Sequence, residues 1–197
     1  MRRYFHFVPV ALCLLLLLSG SAQAEVTNIY DPGQLTPTDS HIKVQVGQMA
    51  PDFALPDITG KTVRLSDFRG KDNVVLSFVP AAFTPVCSQQ WPGYNLAEKL
   101  LKADNAMVLG ITVDNTPTQY AWTSEMGGVW FKVLSDFYPH GKVAASYGLL
   151  RSDGMAERAE IIIDTQGVIR DIKVHDINAK PELERLLHTL DAIAKSQ

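Results

Sequence analysis

The chain has 197 residues, 46% of them hydrophobic, with 18 basic against 21 acidic side chains and two cysteines. That is about one domain's length, with room for a proper core, and a formal charge of −3 argues against nucleic acid or an anionic membrane surface as a partner. No internal repeat and no low-complexity segment breaks the chain.

Arg2 and Arg3 precede an apolar run whose uninterrupted part, Phe7 to Leu18, is shorter than the roughly 20 residues a spanning helix needs. Ala22-Gln23-Ala24 then supplies an A-x-A cleavage site before Glu25, so residues 1–24 read as a secretory signal peptide. Cys13 lies inside the run, without the small residue expected before a lipid-modified cysteine, and is expected to leave with the signal. The remaining 173 residues carry 16 basic and 21 acidic side chains and are expected to be periplasmic, with no membrane association after cleavage. One thiol, Cys87, is then left in an oxidising compartment, where cysteines normally pair. An odd cysteine there is intermolecular, reactive, or simply a buried small hydrophobe.

Residues 25–46 are polar, hold Pro32, Gly33 and Pro37, and show no sustained period; they read as an extended N-terminal arm open to partial disorder. Residues 47–197 form the folded domain, beginning with a short strand in 47–57, a turn at Thr59-Gly60 and a second strand at Thr62–Leu65, a hairpin. Ser66 and Asp67 cap a brief helical turn ended by Gly70. Val74–Val79 is apolar with little alternation, the pattern of a strand buried on both faces. Pro80 stops it, and the residues from Ser88 to about Lys102 suit a helix. Met107–Val113 is another buried strand, giving a β-α-β unit. Asn115-Thr116-Pro117 then starts a helix that runs to about Met126 and stops at Gly127-Gly128. A strand at Phe131–Leu134 and a helix from Pro139 to Tyr147 follow. Ala159–Asp164 and Val168–Val174 flank Thr165-Gln166-Gly167 as an antiparallel hairpin. The last helix opens at Pro181 and places Leu183, Leu186, Leu187, Leu190 and Ile193 on one face. Together these predict an α/β fold, a mixed sheet flanked by helices.

Cys87 is the candidate nucleophile. It falls in or near the first turn of a helix, where unsatisfied backbone N–H groups and the dipole favour an anion such as a thiolate. A cysteine acts as a nucleophile at neutral pH when its pKa drops below the free value of about 8.5, through a helix N-terminus or a nearby cation. Thr84 sits one turn earlier, with a hydroxyl able to bond the sulfur or an incoming oxygen, and Pro80 and Pro85 shape a tight, partly shielded loop. The local sequence offers no cation.

The pattern Pro80-x-x-x-Thr84-x-x-Cys87 resembles the active-site signature of the peroxiredoxins (AhpC/TSA family), and the likeness extends over about Val46 to Leu190. Leu134-Ser135-Asp136-Phe137-Tyr138-Pro139-His140-Gly141, Tyr147-Gly148 and Trp122 resemble the one-cysteine AhpE-like branch. The resemblance implies a single-domain thioredoxin-like fold, a homodimer and a thiol-dependent peroxidase. Its substrate would be hydrogen peroxide or an organic hydroperoxide, Cys87 its nucleophile, and no cofactor would be needed. It also implies that Arg158, in Glu157-Arg158-Ala159-Glu160, is the missing cation, with Pro80 and Thr84 completing the catalytic set. Two departures stand out: Gln90 replaces a glutamate common in relatives, which puts a carboxylate network there in doubt, and Pro92 stands where one branch keeps a second cysteine. With no downstream cysteine, re-reduction falls to an external thioredoxin-like protein.

Three plainer readings compete. A thioredoxin-type oxidoreductase is disfavoured because Thr84-Pro85-Val86-Cys87 keeps only the second cysteine of a C-x-x-C. A catalytically weak binding or holdase module would not depend on Cys87. Arg158 taken alone reads as a surface salt-bridge partner of Glu157 or Glu160; its place at a strand start favours the catalytic reading. His41, His140, His175 and His188 lack metal-ligand spacing.

Overall fold

The computed structural model describes residues 26–195; the signal-peptide assignment and Cys13 lie outside the described residues. In chain order the elements are β1 (Ala54–Pro56), β2 (Thr62–Arg64), a 3-10 turn (Leu65–Phe68), β3 (Asn73–Phe78), α1 (Pro85–Leu96), α2 (Glu98–Ala103) and β4 (Ala106–Thr112). They continue with α3 (Thr116–Glu125), β5 (Lys132–Ser135), α4 (Lys142–Tyr147), β6 (Ala159–Ile163), β7 (Ile169–Val174) and α5 (Leu183–Ala194).

Five strands form one mixed sheet in the order β5-β4-β3-β6-β7. The β-α-β pairs β3/β4 and β4/β5 are parallel, and β3/β6 and β6/β7 are antiparallel. All six residues of β3 are buried, as an unalternating apolar strand in the middle of a covered sheet requires. β1 and β2 form a separate antiparallel pair. The layout is the expected thioredoxin-like one.

Strand parity decides which side chain faces which layer. Val74, Leu76 and Phe78 pack with Leu109, Ile111, Ile161, Ile163 and Tyr147 under the small hairpin and α4. Val75 and Val79 pack with Val108, Val133 and Ile162 against Trp91, Tyr94, Trp122, Leu186 and Leu190 of α1, α3 and α5.

Several boundaries differ from the sequence reading for local reasons. The helix expected from Ser88 to Lys102 starts earlier and is two helices: Thr84 takes the extended N-cap conformation with Pro85 at the first helical position. Ala97, with φ −90° and ψ 5°, breaks the run. Helix α1 continues through Pro92. The last helix begins at Leu183 because Glu182, φ −76° and ψ 110°, is extended. Asn115 caps α3 as expected, its side chain accepting the Thr118 N–H at 3.0 Å.

Residues 26–46 form no helix or strand, and hydrogen bonds tie them to the body at several points. Tyr30 N–H donates to Phe83 O (2.8 Å), Lys43 N–H to Tyr147 O (2.9 Å), and Ile177 N–H to Pro37 O (3.1 Å). Val26 and Val44 are buried at its two ends.

Candidate active site

The Val79 N–H still bonds Ile111 O at 3.1 Å; Pro80 cannot extend the ladder, and the chain turns into α1. Phe83 takes the left-handed conformation (φ 56°), a sparsely populated one for an aromatic residue. Pro85 and Thr84 then place Cys87 as the third residue of α1, within the turn whose N–H groups and dipole favour negative charge. Cys87 is fully buried. One turn later Trp91 packs against Trp122 with ring centroids 4.6 Å apart and planes tilted by 36°, and it donates from Nε1 to Ser77 Oγ at 3.2 Å. Gly110 makes room for that indole: a Cβ there would lie 2.6 Å from the ring.

Arg158, immediately before β6, is 2% exposed, so it is no surface ion-pair residue. Its Nη2 lies 3.4 Å from Cys87 Sγ although 71 residues separate them in sequence. Nε and Nη2 both donate to Ile177 O, at 3.2 and 3.0 Å, and Nη1 donates to Gln90 Oε1 at 2.7 Å. The two acids beside it in sequence bind elsewhere. Glu157 pairs with Arg151 at 2.9 Å, and Glu160 meets Tyr94 and His175. The guanidinium therefore turns its charge toward the sulfur and neutral acceptors.

Gln90 extends this arrangement into a buried polar chain. Arg158 can only donate, so the Gln90 oxygen faces it and the amide nitrogen faces away. That nitrogen donates to Tyr94 Oη at 3.1 Å, and Tyr94 donates to Glu160 Oε1 at 2.9 Å. His175 Nε2 lies 3.0 Å from Glu160 Oε2, and its backbone N–H donates to Arg158 O at 2.8 Å. Burial, then the Glu160 charge, holds the Tyr94 phenol protonated far above its usual range. A carboxylate network thus exists despite Gln90, displaced by two hydrogen bonds to Glu160.

Thr84 does not bond the sulfur. Its hydroxyl donates to Ala81 O at 2.9 Å, which leaves the oxygen's lone pairs as acceptors. Pro80, Thr84 and Arg158 line one cavity of about 220 Å³, together with Met155, Ile177 and residues 31–35 of the N-terminal segment. All four residues singled out from the sequence are therefore in one place: three line the cavity and Cys87 touches Arg158.

The sequence reading missed Tyr94, His175 and the N-terminal wall, and placed Glu160 only as an alternative partner of Arg158. Two signals pointed to the polar chain: Gln90 and Tyr94 are spaced to share a helix face, and Arg158 and Glu160 alternate onto one face of an apolar strand. His140 is structural, its ring bonded to Gly154 O at 2.8 Å, and Trp122 is fully buried within the chain, its Nε1 donating to Ser88 Oγ at 2.9 Å.

Known proteins resemble this chain in sequence and in fold. Residues 46–172 match the AhpC/TSA family profile. The chain is 37% identical over 128 residues to alkyl hydroperoxide reductase E of Mycobacterium tuberculosis, covering 64% of this chain and 83% of that protein. It is 35% identical over 165 residues to a chloroplastic 2-cysteine peroxiredoxin of Chattonella marina var. antiqua, covering 79% and 84%. The crystal structure of the reduced 2-Cys peroxiredoxin of Plasmodium vivax superposes with a TM-score of 0.70 at 28% identity, over 76% of this chain and 82% of that one. A family match over residues 46–172, which span the turn from β3 into the Cys87 helix, together with these relatives, shows that this chain belongs to the AhpC/TSA family of peroxiredoxins and is a thiol-dependent peroxidase.

Proposed function

We propose that the chain reduces hydrogen peroxide or organic hydroperoxides through Cys87 alone. The observation that carries this is the 3.4 Å approach of Arg158 Nη2 to Cys87 Sγ beside a cavity walled by Thr84 and Pro80. The sulfur, as thiolate, attacks one peroxide oxygen in line with the O–O bond; that bond breaks and an S–O bond forms. The departing oxygen leaves with the electron pair and takes a proton, becoming water or an alcohol, while Cys87 becomes a sulfenic acid. Arg158 stabilises charge first on sulfur and then on the leaving oxygen, a preorganised electrostatic effect. Thr84, its proton committed to Ala81 O, accepts a hydrogen bond from the peroxide hydroxyl and orients it. Pro80 contributes no N–H donor and helps shape the wall.

The downstream sequence has no second cysteine, so two external thiol groups return the sulfenic acid to a thiol, yielding a disulfide and water. A thioredoxin-like protein is the proposed donor, a homodimer the proposed assembly, and the periplasm the proposed location, the last supported by the signal-peptide pattern of residues 1–24. The test is peroxide consumption with dithiothreitol as reductant. Wild type should turn over and Cys87→Ser should not; equal consumption by both would sink the proposal.

A further inference from the structure

The family match begins at residue 46, yet residues 31–35, which precede it, form one wall of the cavity beside Thr84 and Arg158. This strap is built into the site. Leu35 is clamped by both ends of one amide: its N–H donates to Asn178 Oδ1 at 2.9 Å, and Asn178 Nδ2 donates back to Leu35 O at 2.8 Å. The preceding residue in the same loop, Ile177, donates its N–H to Pro37 O while its carbonyl accepts from Arg158. One residue therefore fixes both the strap and the guanidinium.

The strap is anchored on either side of the cavity. On one side, fully buried Glu157 accepts the Asp39 N–H at 2.6 Å and the Arg151 guanidinium at 2.9 Å, and Arg151 donates to Thr36 O at 3.1 Å. On the other, Tyr30 N–H holds the carbonyl of left-handed Phe83 at 2.8 Å.

We infer that the strap forms the subsite for the alkyl group of an organic hydroperoxide, with Leu35 the specificity-determining residue and Asn178 its positioning residue; this rests on the peroxidase reading above. The cavity of about 220 Å³ is several times the roughly 30 Å³ share of one water in the liquid, more than hydrogen peroxide fills. Pro32 and Leu35 of the strap, with Val86, Met155 and Ile177, form the apolar part of a wall that also holds Asp31, Gln34 and Asn178. That apolar part gains nothing from a substrate of two oxygens and a great deal from a hydrocarbon tail, whose burial scales with its apolar area. The peroxide end meets Thr84 and Arg158; the alkyl end meets the strap.

The test compares kcat/KM for tert-butyl hydroperoxide and for hydrogen peroxide in the same preparation, with dithiothreitol as reductant. Taking the ratio cancels any loss of folded protein. Leu35→Ala should lower the organic-to-hydrogen-peroxide ratio by about fivefold, in line with a partly lost apolar contact. Asn178→Ala, which frees Leu35 and keeps Pro32, Leu35, Val86, Met155 and Ile177 in place although Asn178 is itself part of the wall, should lower it in the same direction, and Leu35→Met, similar in volume, should keep it near wild type. A ratio that is unchanged in both alanine variants, or that rises because the strap excludes bulk, overturns the inference while leaving the peroxidase reading intact. Wild type inactive on both peroxides overturns both.

Discussion

Strand β3 sends Leu76 and Phe78 to one side of the sheet and Ser77 to the other, and the two sides are filled differently. Under the small hairpin and α4 the interior is apolar: Leu76, Phe78, Ile111 and Ile161 meet Tyr147, whose hydroxyl reaches Pro51 O at 2.8 Å. Against α1 and α5 the same strands bury Ser77, Arg158 and Glu160, which join Gln90, Tyr94 and Cys87. A buried hydrogen bond adds about 1 kcal/mol net, whereas an orphaned buried partner costs about 1–3 kcal/mol, so the second side gives up packing freedom to hold a cation beside a sulfur. The first side can carry stability because it has no such chemistry to accommodate.

The largest effect should come from breaking the apolar side. Leu76 is fully buried there, and Leu76→Ala should destabilise the fold by about 2–5 kcal/mol in denaturant titration. The rate constant of Cys87 with peroxide, measured on the folded fraction, should stay within twofold of wild type. A large fall in that rate constant would show that the two sides are not separable.

Arg158→Met strikes the other side. It should slow the reaction of Cys87 with peroxide at least tenfold, about 1.4 kcal/mol of lost transition-state stabilisation, in a stopped-flow measurement. An unchanged rate constant would remove Arg158 from the chemistry.

The two buried tyrosines give the most direct comparison. Tyr94→Phe leaves Gln90 and Glu160 each short of a partner and should cost about 1–3 kcal/mol. Tyr147→Phe removes one bond to a half-buried loop carbonyl and should cost about 1 kcal/mol. Both phenols are held protonated above the usual value of 10.0 by burial, Tyr94 by the nearby Glu160 charge as well and Tyr147 by that of Asp52. Above pH 10 the unfolded chain loses these protons and the folded one keeps them, so the unfolded state binds fewer protons and stability falls as pH rises. Each Phe variant should flatten that alkaline decline in urea titrations between pH 9 and about 11; the same slope in wild type and both variants would contradict the assignment.

Much of this molecule is local in origin. The unalternating apolar run of β3 dictates burial on both faces, Asn115 dictates a helix start, and the Thr84-Pro85 pair dictates a capped turn that sets Cys87 among unpaired N–H groups. The resemblance carried by Pro80, Thr84 and Cys87 extended to Arg158, and the structure brings that residue to the sulfur. Such features are legible because they depend on periods of two and 3.6 residues and on side chains within one turn of each other.

Tertiary structure alone decided the rest. Leu35 meets Asn178 across 143 residues, and Gln90 meets Arg158 across 68. No local pattern encodes either distance, because each depends on how α1, β6 and the loop after β7 pack around a common sheet. The polar, aperiodic strap resembled a loose arm in sequence for the same reason: its order comes from hydrogen bonds whose partners lie on the folded body. The sequence by itself determined that Cys87 would sit at a helix start directly after a buried β-strand. Only the packed structure determined how Arg158 is held against the sulfur, which carboxylate lies behind that cation, and which wall a substrate would touch.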